Sequence, residues 1–306
     1  MTFFRKLVLS AKAFSLHLSQ PQFRAGSSPR LKLGLALGGG FARGLAHVGV
    51  LKVLEEEGIA IDYMAGTSVG SVIAAAFCSG VSAKELAEIS GLVRFRDFAR
   101  WTLSRYGICN NDRMGVFLPR ILKVKTFEEL KIPLAVAATD FLTGEPVVFR
   151  SGPICAPVRA SCSYPGMFAP VEVDGRLLVD GMLGHAVPTT PVREMGADYV
   201  IGISLSAHWL RLSGPRHLFD IIGQCFSIAQ ARMSVHWKKD ADLVLEPNVE
   251  GFAYDAFERS AELIASGEQA MRAALPALKQ ALSEPRHAVP AHYPALPGEA
   301  AMAPHS

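Results

Sequence analysis

Ile61-Asp62-Tyr63-Met64-Ala65-Gly66-Thr67-Ser68-Val69-Gly70 is the stretch on which the fold turns. Its first half reads as a buried strand over residues 61–65. The small residues 66–70 read as a sharp turn, and residues 72–78 read as a small-residue helix that stops at Gly80. The turn fits the pattern G-x-S-x-G between a strand and a helix, the setting of a nucleophile elbow. In so sharp a turn, a side chain at Gly66 or Gly70 would collide with the neighbouring strand and helix. Ser68 is then expected to project above the sheet beside a helix N-terminus, which favours developing negative charge. The competing reading is an ordinary strand-to-helix turn in which the Ser68 hydroxyl caps the helix.

Upstream, residues 33–37 form a short apolar strand broken by Gly38-Gly39-Gly40. A helix over 45–56 follows, with Leu45, Val48, Leu51 and Leu54 on one face and Gly58 at its end. Bare backbone N–H groups cluster in such a glycine run and suit an oxyanion. A nucleotide phosphate is the rival occupant, but no G-K-[ST] follows. The run Gly38-x-Gly40-x-x-x-Gly44 also misses the dinucleotide spacing by one residue. Downstream, strand signals recur at 132–139, 146–150, 177–179 and 199–205. The last strong element is an amphipathic helix over 254–275, which Pro276 is expected to end or kink. Strands alternating with helices predict an α/β fold around a largely parallel sheet.

A serine hydroxyl is a poor nucleophile until a base takes its proton. Asp180 follows the apolar run Leu177-Leu178-Val179 and precedes Gly181, which places it at a strand end. Burial there would raise its pKa and make it a better base. The alternative is a turn aspartate that caps its own backbone. A Ser-Asp-His triad is also available in chain order through His208, His217 or His236. The first two lie in a polar, Arg-containing loop, and the third lies within a helical run over 226–237. His47 and His185 read as structural, Asp140 as a turn cap and Ser161 as a supporting neighbour of the site.

The 306 residues carry 31 Lys+Arg against 28 Asp+Glu and are 50% hydrophobic, enough for a deep core and too apolar for a disordered chain. No run approaches about 20 uncharged apolar residues, so no spanning helix is expected. Eight basic residues and no acidic one precede Glu55, a bias that suits an anionic lipid surface. Within it, Phe3, Leu7, Ala11, Phe14 and Leu18 follow helical spacing. The expected organisation is a basic amphipathic arm and linker over 1–30, a catalytic domain over 31–283 and a Pro/Ala/His-rich tail over 284–306. Five scattered cysteines without C-x-x-C spacing predict reduced thiols, no zinc site and a cytoplasmic location, and the basic amphipathic start suits peripheral contact at the inner membrane face. Residues 91–125 interrupt the α/β rhythm with Arg and Lys interleaved with Phe95, Phe98, Trp101, Tyr106 and Phe117. No nucleic-acid motif accompanies them, so nucleic acid is not an expected partner. They read as a helical lid over the serine. The oligomeric state is not legible.

LALGGGFARGLAHVGVLKVLEEEGI, DYMAGTSVGSVIAAAFCSG, VRASCSYPGMFAPV and LLVDGM together resemble the successive motif blocks of patatin-like phospholipases, with the nearest likeness to the short bacterial members. The resemblance spans residues 32–282. It implies a three-layer α/β/α sandwich and a cofactor-free serine acyl hydrolase acting on phospholipids or other fatty-acyl esters through an acyl-serine. Carried across, Ser68 is the nucleophile and Asp180 the base. The amides of Gly39 and Gly40 are the oxyanion donors, and Arg43 braces the loop. Two positions depart from the family pattern: Phe41 stands where a glycine is usual, and Met182 follows Asp180-Gly181 where Gly or Ala is usual. These departures leave room for a low-turnover lipid-binding or regulatory protein on the same fold.

Overall fold

Alternate residues of the predicted strands face opposite ways, so each strand has to feed two different packing layers. In the computed structural model, which describes residues 30–104, 107–205, 218–253 and 255–283, they do so. The strands are β1 (Leu33–Leu37), β2 (Tyr63–Thr67), β3 (Arg100–Ser104), β4 (Gly107–Asn110), β5 (Leu134–Asp140), β6 (Pro146–Phe149), β7 (Val171–Val173), β8 (Arg176–Asp180), β9 (Tyr199–Ile203) and β10 (Leu243–Leu245). The helices are α1 (Ala46–Glu56), α2 (Val69–Cys78), α3 (Ala83–Leu92), α4 (Phe95–Phe98), α5 (Met114–Ile121), α6 (Cys155–Ser161), α7 (Thr189–Glu194), α8 (Leu218–Lys239) and α9 (Ser260–Ser283).

Hydrogen bonds link the main sheet in the order β10-β9-β1-β2-β5-β8-β7, with β6 also on β5. The five strands from β10 to β5 are parallel. Leu33, Leu35, Leu37, Met64, Val136, Ile201 and Ile203 point into one buried layer with α1, α2, α3 and α9. Ala36, Ala65, Ala135 and Val200 point into the other, where Val192 of α7 and Trp237 of α8 pack. The large-residue face therefore carries the main core, and the small-residue face lets its helices approach closely.

The pairing around β5 has a consequence for the site. β6 pairs with Val136–Thr139, β2 with Leu134–Ala137, and β8 with Ala138–Asp140. A strand has only two edges, so β2 and β8 share the edge that β6 leaves. They arrive from opposite directions: β2 ends at Thr67 opposite Ala137, and β8 ends at Asp180 opposite Ala138. The two strand ends abut.

Two expectations need correction. The final helix does not end at Pro276 but runs to Ser283. Leu278 beyond the proline is fully buried and Lys279 pairs with Glu57, so tertiary contacts hold the turn that the proline weakens. Residues 91–125 are not simply helical, since β3 and β4 form a separate antiparallel ribbon between α4 and α5. The direction of the strand ending at Asp180, on which the sequence is silent, is antiparallel to β5. The expected amphipathic helix near the start, the tail over 284–306, Tyr106, His208 and His217 lie outside the described residues.

Candidate active site

Ser68 sits where β2 hands over to α2, at φ 54° and ψ −130°. A non-glycine residue there stores on the order of 1–3 kcal/mol of backbone strain. Its hydroxyl makes no capping bond to α2, which removes the capping reading. The turn is held through its backbone instead. Ser68 N–H donates to Ser161 Oγ at 2.8 Å, and the Ser68 carbonyl accepts from Ser71 N–H at 2.8 Å and from Ser71 Oγ at 2.6 Å. The flanking glycines act as expected: a Cβ at Gly66 would lie 2.5 Å from Ser71 Cα, and one at Gly70 would lie 2.3 Å from the Leu37 carbonyl oxygen.

Beside it runs the glycine loop. Gly38 N–H donates to the Ile203 carbonyl at 3.0 Å. Gly39 packs so closely on Ser68 that a Cβ would lie 3.1 Å from Ser68 Cβ. Among the described residues, the N–H groups of Gly39 and Gly40 donate to no protein group. Phe41 follows in the left-handed region at φ 51°, its ring edge-on to Tyr164 with centroids 5.2 Å apart. Arg43 is buried in the short helical turn after the loop, and burial pulls its guanidinium down to about 10.

Asp180 is fully buried. Its Oδ1 accepts from Met182 N–H at 3.0 Å, while Oδ2 is left without a hydrogen bond of regular geometry. Burial pushes its pKa up to about 7. The Met182 amide and the Ser68 hydroxyl act the other way, both favouring the carboxylate. Ser68 and Asp180 are thus brought together by the abutting ends of β2 and β8. Gly181 allows the approach, because a Cβ there would lie 2.2 Å from the Ala137 carbonyl oxygen.

Two clefts meet at Ser68. One, of about 820 Å³ with its mouth included, is walled by Leu45, Val69, Val72, Ile73, Ala76 and residues of α3, α4 and α5 such as Leu86, Phe98, Phe117 and Ile121. The other, of about 1060 Å³ on the same basis, lies between the glycine loop and α8. It presents Gln224, Ser227, Gln230 and Ser234 together with Trp237 and Leu205. Phe41 lines both.

A family model described as patatin-like phospholipase matches residues 35–193. The chain belongs to the patatin-like phospholipase family. It is 39% identical over 198 residues to an NTE family protein of Mycobacterium tuberculosis, a match that covers 60% of this chain and 51% of that protein. It is 33% identical over 188 residues to human patatin-like phospholipase domain-containing protein 6, covering 57% of this chain and 13% of the relative. It is also 30% identical over 185 residues to lysophospholipase NTE1 of Mycosarcoma maydis, covering 58% and 10%. The match spans about half the length of the mycobacterial relative and a much smaller share of the other two. Among solved structures, VipD from Legionella pneumophila aligns with a TM-score of 0.52 at 14% identity, over 81% of this chain and 67% of that one. That likeness speaks for the fold, a mostly parallel sheet with helices on both sides.

The remaining sequence candidates among the described residues line neither cleft. His236 is exposed on α8, and His185 offers its carbonyl to Thr67 Oγ1 at 2.7 Å. No described histidine lines either cleft. Asp140 Oδ1 accepts from the amides of Leu142 and Thr143, the turn cap expected of it. Among the described residues, no three His, Cys, Asp or Glu side chains converge as metal ligands. Sequence reasoning missed the α8 side of the site. Gln224, Ser227, Gln230 or Ala231, and Ser234 recur at helical spacing as a small and polar stripe, the one signal that marks that face.

Proposed function

We propose that this chain is a serine acyl hydrolase that cleaves fatty-acyl esters of the phospholipid type. The observation that carries the reading is the abutment of β2 and β8, which sets the uncapped Ser68 hydroxyl by the buried Asp180 carboxylate, with two unpartnered amides alongside. Ser68 Oγ attacks the ester carbonyl carbon while Asp180 accepts its proton. The negative charge that develops on the carbonyl oxygen is met by the N–H groups of Gly39 and Gly40. The C–O bond then breaks, and the alcohol leaves with the proton from Asp180. Water gives a proton to Asp180 as its oxygen adds to the acyl carbonyl carbon; the bond from that carbon to Ser68 Oγ then breaks, Oγ takes the proton back from Asp180, and the fatty acid leaves. These steps call for no metal or cofactor.

The apolar cleft suits the acyl chain, and the name of the lysophospholipase relative supports a lipid ester. Peripheral contact with a lipid surface is the companion reading. Leu92, Trp101 and Val116, all on the insert that walls the apolar cleft, are 80%, 70% and 58% exposed. The test is hydrolysis of p-nitrophenyl butyrate by wild type, Ser68→Ala and Asp180→Ala. Activity lost in both variants is expected, and activity unchanged in both ends the proposal. The low-turnover alternative draws on Phe41, which crowds both clefts. Stoichiometric release of p-nitrophenol that then stops would favour it.

A further inference from the structure

One buried titratable group beside the glycine loop has no part in the steps above. His47 lies on α1 with none of its surface exposed, and its Nε2 is 2.8 Å from the Gly38 carbonyl oxygen. A carbonyl oxygen only accepts, so Nε2 carries the proton and Nδ1 keeps a lone pair. That Nδ1 is buried and has no partner. Burial pulls the imidazole down to about 4, so the ring is neutral at ordinary pH.

The bond matters because of what lies across the peptide. In a trans peptide the carbonyl and the following N–H point in opposite directions, and no described peptide bond is cis. Holding Gly38 O toward α1 therefore turns the Gly39 N–H away from α1. Gly39 is the residue packed against Ser68, and its amide has no other protein acceptor. Gly38 N–H is tied separately to Ile203. Glycine peptides otherwise rotate at little cost, so a run of three needs an external restraint.

We infer that His47 is a positioning residue: its Nε2–H bond to Gly38 O sets the plane of the Gly38–Gly39 peptide and aims the Gly39 N–H at the developing oxyanion. This rests on the acyl-hydrolase reading. A donor aimed at the oxyanion counts chiefly in the transition state, so its loss lowers kcat and leaves KM nearly unchanged.

The experiment compares wild type, His47→Leu, His47→Gln and His47→Asn with p-nitrophenyl butyrate, together with inhibition by a trifluoromethyl ketone that adds to the serine as an oxyanion. His47→Leu is expected to lower kcat about 10- to 100-fold, with KM within about twofold and ketone affinity falling in step with kcat/KM. His47→Gln, whose amide N–H reaches the same carbonyl, should recover most of kcat. His47→Asn, one methylene shorter, should not. Should His47→Leu fail to fold, the Gln-to-Asn comparison decides alone, with kcat at least about tenfold apart. Wild-type kcat in His47→Leu, equal kcat in the Gln and Asn variants, or a change confined to KM overturns the inference. Hydrolysis that survives Ser68→Ala would instead overturn the reaction itself.

Discussion

The two clefts that meet at Ser68 differ in chemistry more than in size. The cleft under α3, α4 and α5 is lined by apolar residues except for Ser68, Ser90 and Cys162, whereas the other presents Arg43, Tyr164, Gln224, Gln230 and three further serines among its apolar residues. The Gly39 and Gly40 backbone lines the second cleft and is absent from the first. Polarity thus changes at Ser68. An ester with a greasy acyl half and a hydrogen-bonding alcohol half matches that boundary, and neither half alone does. On the proposed reaction, the acyl chain would lie under the insert and the alcohol beside α8.

The largest effect is expected from removing the groups where the two clefts meet. Ser68→Ala should take ester hydrolysis down at least about 10³-fold, whatever the acyl chain, in a titration of activity against enzyme concentration. Asp180 offers a pH test on the same scale. A base must be ionised, so kcat/KM should rise with pH through about 7 and then level off; a rise centred near 4 would show that burial does not raise the base, and a rise near 7 that persists in Asp180→Asn would show that Asp180 is not the base. The sign for stability is the reverse. Because the folded pKa is raised, the folded protein holds its proton longer than the unfolded chain. The group therefore costs stability progressively as pH rises from about 4 to about 7, by up to about 4 kcal/mol. Asp180→Asn should flatten that decline in urea melts at pH 5 and pH 8.

Smaller changes sharpen the contrast. Ile121→Lys puts a charge on the apolar wall and should cut kcat/KM for a dodecanoyl ester about tenfold while leaving the acetyl ester within about twofold. Equal losses on both would remove the acyl assignment. Gln230→Leu should do the converse: an unchanged chain-length profile, with about a threefold shift in preference between glyceryl and p-nitrophenyl leaving groups. Phe41→Gly has the mildest expectation. It relieves a left-handed aromatic residue but loses the Tyr164 contact, so thermal melts should move by no more than about 1 kcal/mol in either direction. The peak of the chain-length profile should move toward longer esters as the shared wall disappears.

Much of the fold was legible because its signals are local. The alternation that sends Leu33, Leu35 and Leu37 one way and Ala36 the other can be read off the sequence, as can the turn Gly66–Gly70. Ser161 was also legible as a neighbour of the turn, although not as the acceptor of the Ser68 amide. What sequence withheld was long-range. Nothing in Arg176–Asp180 says which way the strand runs against β5, because side-chain alternation is the same in both directions. The aromatic-rich insert hid the β3–β4 ribbon, since Phe98 and Phe117 line a cleft, Phe95 packs on Phe98, and their spacing follows no strand period. Pro276 misled because Leu278 and Lys279 are held by α1 and its end, partners far away in the chain.

The seam where β2 and β8 abut sets unequal tolerances for length. Between those strands the polypeptide accommodates three extra helices and a ribbon over 83–121, and the reacting oxygens keep their places. At the seam itself there is no slack: one residue inserted after Thr67 or before Gly181 would drive one strand end into the other or turn its functional group to the opposite face. If the proposed reaction holds, activity in this architecture is a gauge of strand length, and insertions and deletions in the lineage should crowd everywhere except at that joint.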